Sequence, residues 1–359
     1  MPAPADITPD TAVLSLADAQ SRYGVARGYL AACTMGLPSR DTVDALTQDA
    51  QDWAAGRANP GHYGAVVDDV RSTYAALVNV RPAQVAIGSQ VSVMANLLAA
   101  SVPDGAEVLC VDGDFSSMVF PFLAQAHRGV TVRHASLDTL ADHIGPRTWL
   151  VAFSLVQSAT GALADTDSIV AAARAHGART FCDTTQATGW LPVNASLFDA
   201  TACHAYKWLC SPRGVAFLTV SDDFLPRLRP SQVGWYAGGN PWASCYGPEM
   251  NLAADARRFD VSPAWPAWVG ARPALELFSR LDIAAVRDHA VGLGDALCDG
   301  LGIPRQGQAI VTWPDAAEND VSRLAHAGIT ASARAGRARA AFHLWNDATD
   351  VADALNALA

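Results

Sequence analysis

His204-Ala205-Tyr206-Lys207-Trp208-Leu209-Cys210-Ser211-Pro212-Arg213-Gly214-Val215-Ala216-Phe217-Leu218 holds the only lysine of a 359-residue chain. The lysine sits among aromatic and apolar residues, just ahead of a glycine turn and an apolar run. Upstream, Thr180-Phe181-Cys182-Asp183-Thr184-Thr185-Gln186 ends another apolar run on an aspartate. Both runs have the length and composition of buried strands. Similar runs recur at 84–87, 107–111, 130–133 and 149–153. Helical patterns lie between them, at 93–100, at 118–126 and after Asp165-Thr166-Asp167-Ser168, where the side chains suit an N-cap and the helix ends near Gly177. Alternation of this kind predicts an α/β fold, with a mostly parallel sheet covered by helices on both faces. Ligands of such sheets bind beyond the carboxyl ends of the strands. Ser89, Asp114, Phe115, Ser158 and Asp183 all follow or end candidate strands and are expected to converge there. Lys207 precedes its strand and must reach that edge from a loop.

Beyond residue 224 the pattern breaks. Pro, Gly, Trp and Tyr dominate as far as 249, which reads as a long loop ordered by burial of its tryptophans, against another subunit in one reading. Helical patterns then run to about residue 281 and from 283 to 300. The tail, 308–359, reads as strand, helix, strand, helix. The expected division is a large domain over 15–255 and a small α+β domain over 256–359.

Composition narrows the function classes. Half the residues are apolar and the formal net charge is −10. With no basic run, nucleic acid is not an expected partner. No apolar stretch reaches the roughly 20 residues of a membrane span, and residues 1–20 lack the pattern of a signal peptide. The seven cysteines are scattered without CxxC spacing, so neither a zinc site nor a disulfide framework is expected. A reducing cytoplasm is the simplest setting.

Lysine chemistry in an apolar site points to a cofactor. Desolvation lowers a lysine pKa, which suits Schiff-base formation. A carboxylate on a neighbouring strand end can hold a pyridine nitrogen protonated, so that the ring accepts electrons. Lys207 and Asp183 together therefore match pyridoxal phosphate. Gly88-Ser89-Gln90, at a strand-to-helix transition, suits its phosphate, although an ordinary helix cap explains the same residues. Asp183 alone could equally be a capped turn with Thr184 and Thr185.

Taken together, Cys182-Asp183-Thr184-Thr185-Gln186 and Tyr206-Lys207-Trp208-Leu209-Cys210-Ser211-Pro212-Arg213-Gly214 resemble the class V aminotransferase family. That family includes cysteine desulfurases, isopenicillin-N epimerase-like proteins and kynureninases. Tyr29-Leu30-Ala31-Ala32 is similar to its N-terminal entry, and Ala340-Ala341-Phe342-His343-Leu344-Trp345-Asn346 with Asp350-Val351 to its C-terminal signature. The resemblance implies a fold-type I pyridoxal phosphate enzyme with a small α+β C-terminal domain, acting on an amino acid. It also implies a homodimer with active sites at the interface. By position it makes Lys207 the Schiff-base lysine, Asp183 the pyridinium partner and Gln186 the contact to the ring oxygen. Ser89, Gln90, His204 and Tyr206 fall at the phosphate, and Phe115 where desulfurases stack a histidine on the ring. Tyr206 and Phe115 both resemble kynureninase. Ser262 is similar to the residue that reaches the neighbouring subunit's phosphate, with local spacing one residue shorter. Arg339 falls where the family binds the substrate carboxylate, a task suited to a bidentate guanidinium; a surface arginine among Arg334 and Arg337 is the plainer reading. Ser158 and His62 are further candidates for substrate contact, and for His62 a simple loop turn is equally consistent.

Desulfurases carry a nucleophilic cysteine shortly before that arginine. Here no cysteine follows Cys298, and the stretch 328–338 is short. The expected reaction is therefore β-elimination at a C–S bond of a cysteine conjugate, without a persulfide step. Amino-group transfer is the alternative and a non-catalytic member of the fold the third reading.

Overall fold

The computed structural model describes residues 13–24 and 27–359. Residues 1–12 of the segment read for a signal peptide lie outside them. The elements in chain order are α1 (Leu16–Ser21), α2 (Arg40–Ala54), α3 (Pro60–Leu77), β1 (Val85–Gly88), α4 (Val91–Ser101), β2 (Glu107–Val111), α5 (Ser116–Leu123), β3 (Thr131–Ala135), β4 (Thr148–Ser154), α6 (Thr166–His176), β5 (Arg179–Asp183), β6 (Ala200–His204), β7 (Ala216–Val220), α7 (Trp265–Ser279), α8 (Ile283–Leu301), β8 (Ile310–Pro314), α9 (Asn319–His326), β9 (Ser332–Arg334), β10 (Arg337–Ala341) and α10 (Ala348–Leu358).

β1 to β7 form one sheet in the order β1-β7-β6-β5-β4-β2-β3. All pairs from β6 to β3 are parallel. β7 runs antiparallel to both of its neighbours. That reversal matters for the site. The carboxyl ends of β1, β2, β4, β5 and β6 share one edge, and β7 begins at that edge. The loop that carries Lys207 therefore arrives there without a long reach.

Burial alternates along the strands as a two-faced sheet requires. Val85 and Ile87 of β1, Leu109 and Val111 of β2, and Val151 and Phe153 of β4 belong to one apolar cluster. Ala86, Val108, Cys110, Leu150 and Ala152 belong to the cluster on the other face. β6 escaped the sequence reading. Its Ala-Thr-Ala-Cys-His run has Thr201 as its single β-branched residue and no Val, Ile, Phe, Tyr or Trp, yet every residue is buried. Small side chains here let α4 pack close to the sheet.

β8, β9 and β10 form a separate antiparallel sheet. The tail is thus strand, helix, hairpin and helix. Its core joins Val311, Trp313, Leu324, Ala338, Ala340, Phe342 and Val351 with Leu30 from the N-terminal segment. α7 packs on α2 and α3, and its Trp268, Ala271 and Ala274 join the apolar cluster of the large sheet. The segment 224–249 is ordered mainly through short turns and ring contacts. Trp235 packs on Tyr236 and Trp242, while Trp242 is 52% and Tyr246 92% exposed. Burial within the chain, expected from its tryptophans, is therefore only partial. No helix among the described residues is long and apolar enough to cross a membrane.

One close approach welds the N-terminal segment to the lysine loop. Gly36 donates its N–H to the Tyr206 carbonyl at 2.9 Å, and a Cβ at Gly36 would lie 1.9 Å from the Lys207 carbonyl oxygen. Backbone cannot yield there as a flexible side chain can. Gly36→Ala is expected to cost about 3 kcal/mol, the upper range of overpacking, read as a lower denaturant midpoint at unchanged m-value.

Candidate active site

A concave cleft opens at the shared strand edge, lined by convergent polar groups. Gln90, Phe115, Ser158, Asp183, Gln186, His204, Tyr206 and Lys207 all line it. Lys207 lies in the turn after β6, 7% exposed. Its Nζ stands 5.6 Å from the Phe115 ring centre and 5.7 Å from that of Tyr206. Burial lowers its pKa to about 8, and Asp183 opposes that fall. The amine is thus substantially neutral at mildly alkaline pH and available as a nucleophile or base.

Asp183 ends β5 and is buried. Its Oδ1 accepts the Thr185 N–H at 2.8 Å. Burial raises its pKa to about 6, against the pull of the Thr185 hydrogen bonds. It is a desolvated carboxylate with no ion pair among the described residues, and so seeks a cationic partner. Nearby Asp114 is committed elsewhere, accepting from the Ser154 N–H at 2.8 Å and the Ser154 hydroxyl at 2.6 Å. That pairing fixes the loop carrying Phe115, whose side chain is 47% exposed and lies against the cleft.

A second end of the cleft suits an anion. Gln90 is the N-cap of α4 but makes no side-chain capping bond, so the positive helix end faces the cleft through Gln90, Val91 and Ser92. His204, buried at the end of β6, has no partner for Nε2. Burial, then Arg213 and Lys207, push its pKa down to about 3, so the imidazole is neutral. Arg213 lines the same cleft and stacks its guanidinium 5.0 Å over the Tyr206 ring. The role of Arg213 went unread in sequence, although it stands in the quoted lysine stretch; only the stacking on Tyr206 turns it inward.

Gln186 is more engaged than expected. Its Oε1 accepts from Trp208 Nε1 at 2.8 Å. Its Nε2 donates to the Cys33 carbonyl at 2.9 Å and to Ser158 Oγ at 3.1 Å. A contact to a ring oxygen would redirect the hydrogen now given to Ser158. Arg339, 1% exposed, donates from Nη1 to the carbonyl and hydroxyl of Ser158, from Nε to Ser332 Oγ at 3.0 Å and from Nη2 to Thr34 Oγ1 at 3.0 Å. It is a buried cation adjoining the cleft, not a surface arginine. His343 Nε2 donates to the Trp208 carbonyl, 2.8 Å away, and Asn346 Nδ2 donates to the Tyr29 carbonyl at 3.1 Å. The C-terminal signature thereby clamps the lysine loop and the N-terminal segment together.

Three candidates lie apart from the cleft. Ser89 is exposed beside Gln90 and does not line it. His62, in the first turn of α3, is exposed, as is Ser262 ahead of α7. Nothing within one chain brings His62 or Ser262 to Lys207.

A family model described as Aminotransferase class-V matches residues 57–336. The chain belongs to the class V aminotransferase family. It is 32% identical over 184 residues to isopenicillin N epimerase of Amycolatopsis lactamdurans, covering 46% of each chain. It is 31% identical over 258 residues to kynureninase of Deinococcus radiodurans, covering 68% of this chain and 59% of that enzyme. The chain spans about half the length of the isopenicillin N epimerases it matches. In fold it is similar to the cystine C-S lyase C-DES, with a TM-score of 0.85 over 93% of this chain and 97% of that one at 22% identity. Class V membership makes pyridoxal phosphate the cofactor. The cleft fits it on three counts. An unpartnered buried imidazole, an uncapped helix end and Arg213 face one end. A desolvated carboxylate stands at the other. A lysine whose pKa burial lowers to about 8 lines the same cleft.

Two pH dependences follow. Capture of pyridoxal phosphate by the apoenzyme should accelerate as pH rises through about 8, where Lys207 loses its proton, and level off above; stopped-flow absorbance reads this directly. Affinity should fall as pH drops below about 6, where Asp183 gains a proton and loses its charge. A flat profile across both ranges would overturn these assignments.

Proposed function

We propose that this chain is a pyridoxal phosphate enzyme that eliminates the β-substituent of an amino acid, most simply a thiol from a cysteine conjugate. Bound in the cleft, the cofactor supplies an aldehyde for Lys207 and a protonated ring that withdraws electrons from the substrate α-carbon. Asp183 holds the charge on that ring nitrogen, and Phe115 covers the ring face. Gln90, His204, Tyr206 and Arg213 hold the phosphate, with Ser89 at the entry of the same turn. Arg339 takes the α-carboxylate, with Ser158 and Thr34 orienting the guanidinium. Lys207, neutral near pH 8, accepts the α-proton. The C–S electron pair leaves with sulfur, and water releases pyruvate and ammonia.

The observation that carries the choice of reaction is the β9–β10 hairpin. Arg334 and Arg337 flank a two-residue turn, Ala335-Gly336, with φ of 50° and 71°. Such a turn leaves no loop on which a sulfur-accepting cysteine could ride. No cysteine lines the cleft. Cys33, whose thiol acts electrostatically on both Arg339 and Lys207, is 1% exposed and cannot deliver sulfur to a partner protein. Cys245 lies in the 234–249 segment with its thiol toward the Pro241 carbonyl at 3.7 Å. A homodimer in a reducing cytoplasm completes the reading, with Ser262 and His62 contributing across the interface.

Incubating the holoenzyme with a series of cysteine S-conjugates is expected to yield pyruvate, ammonia and the free thiol in equal amounts. Lys207→Ala should lower turnover by about 10⁴-fold or more, as removal of a combined nucleophile and base does. Alanine and sulfide from free cysteine would instead indicate desulfuration, and amino-group transfer to an added 2-oxo acid an aminotransferase; either outcome alone would displace the lyase reading.

A further inference from the structure

The β9–β10 hairpin carries more cation than one α-carboxylate needs. In its register Arg334 faces Arg337, and Ser332 faces Arg339. Directly paired residues of antiparallel strands project to the same side, so Arg334, Arg337 and Arg339 share a face. The Ser332–Arg339 hydrogen bond confirms the side. Like charges placed opposite each other on neighbouring strands destabilise a sheet. None of the three arginines has a carboxylate partner among the described residues. Arg339 is held by Ser158, Ser332 and Thr34, and Arg337 donates to Thr312 Oγ1 and to the Thr312 carbonyl. Arg334 makes a bond only to the carbonyl of its neighbour Ala333, at 2.6 Å. It is exposed at the hairpin tip, about 7 Å outward from Arg339 along the shared face, two strand residues away. Its charge reaches the cleft, acting on Lys207, Tyr206 and Arg339.

We propose that Arg334 is a second anion subsite, which selects amino acids whose side chain ends in an acidic group. This rests on Arg339 taking the α-carboxylate. With Arg213 assigned to the cofactor phosphate and Arg339 to the α-carboxylate, Arg334 is the cation left for a third anion, and its outward position matches the far end of a substrate side chain. In the lyase reading the substrate class becomes a cysteine thioether whose sulfur substituent carries a carboxylate.

The test uses matched acid and amide pairs on the holoenzyme: S-(carboxymethyl)cysteine against S-(carbamoylmethyl)cysteine, and glutamate against glutamine. Affinity is read from the change in cofactor absorbance on binding, which does not require turnover. The acid of each pair is expected to bind roughly fivefold tighter than its amide, the size of a partly exposed ion pair. That ratio should shrink with added salt. Arg334→Gln should bring it to about one, and Arg334→Lys should keep part of it. Equal affinity of acid and amide for the wild type, or a preference that survives in Arg334→Gln, overturns the proposal while leaving the lyase reading intact. If no amino acid perturbs the absorbance, the reading of the cleft as an amino-acid site fails and the subsite falls with it.

Discussion

Desolvation of one amine governs this molecule. Lys207 is held away from water between two aromatic rings, and the loss of hydration lowers its pKa into the range where it can act as a base. Keeping it there requires the loop after β6 to be immobile. The chain achieves this with backbone contacts: Gly36 presses on the Lys207 carbonyl, and His343 reaches the carbonyl of Trp208. The Trp208 indole then anchors on Gln186. Elements from the N-terminal segment, the sheet and the C-terminal domain thus meet around a single turn, so the site depends on the whole fold rather than on one motif.

Electrostatic layout follows from the same geometry. Carboxylates gather at or just beyond the ends of β2 and β5, where Asp114 and Asp183 lie. Cations gather in two other places, Arg213 beside the end of β6 and the arginine face of the β9–β10 hairpin. A cofactor with a basic ring nitrogen and a phosphate has the matching polarity, and an amino acid brings its carboxylate to the remaining cation. Tyr206 stacks with Arg213 and also meets the Lys207 amine. At residues 332–341 this chain has a tight hairpin whose exposed tip includes Arg334.

Much of the site was legible in the chain because its residues stand at strand ends. Parallel strands bring such ends to one edge whatever their order, so Phe115, Ser158 and Asp183 could be expected to converge without coordinates, whereas His204 was reached only through the family resemblance. β6 was not legible, since its Ala-Thr-Ala run has one β-branched residue and no large apolar or aromatic one, and its strand state comes from pairing with β5 and β7. Arg213 and the grip on Gln186 were equally hidden, because side-chain direction within the lysine loop decides the first and a hydrogen bond from Trp208 to a distant strand end the second.

Sequence by itself determined the layered α/β class, the lysine and aspartate that suit pyridoxal phosphate, and the lack of a cysteine after Cys298. Those are properties of residue type and period, which local chemistry expresses. Only the tertiary structure decided that β7 runs backwards, that Arg339 is buried rather than a surface charge, and that Arg334 shares a hairpin face with Arg339. Strand direction, burial and register are set by contacts between segments far apart in the chain, where periodicity carries no information.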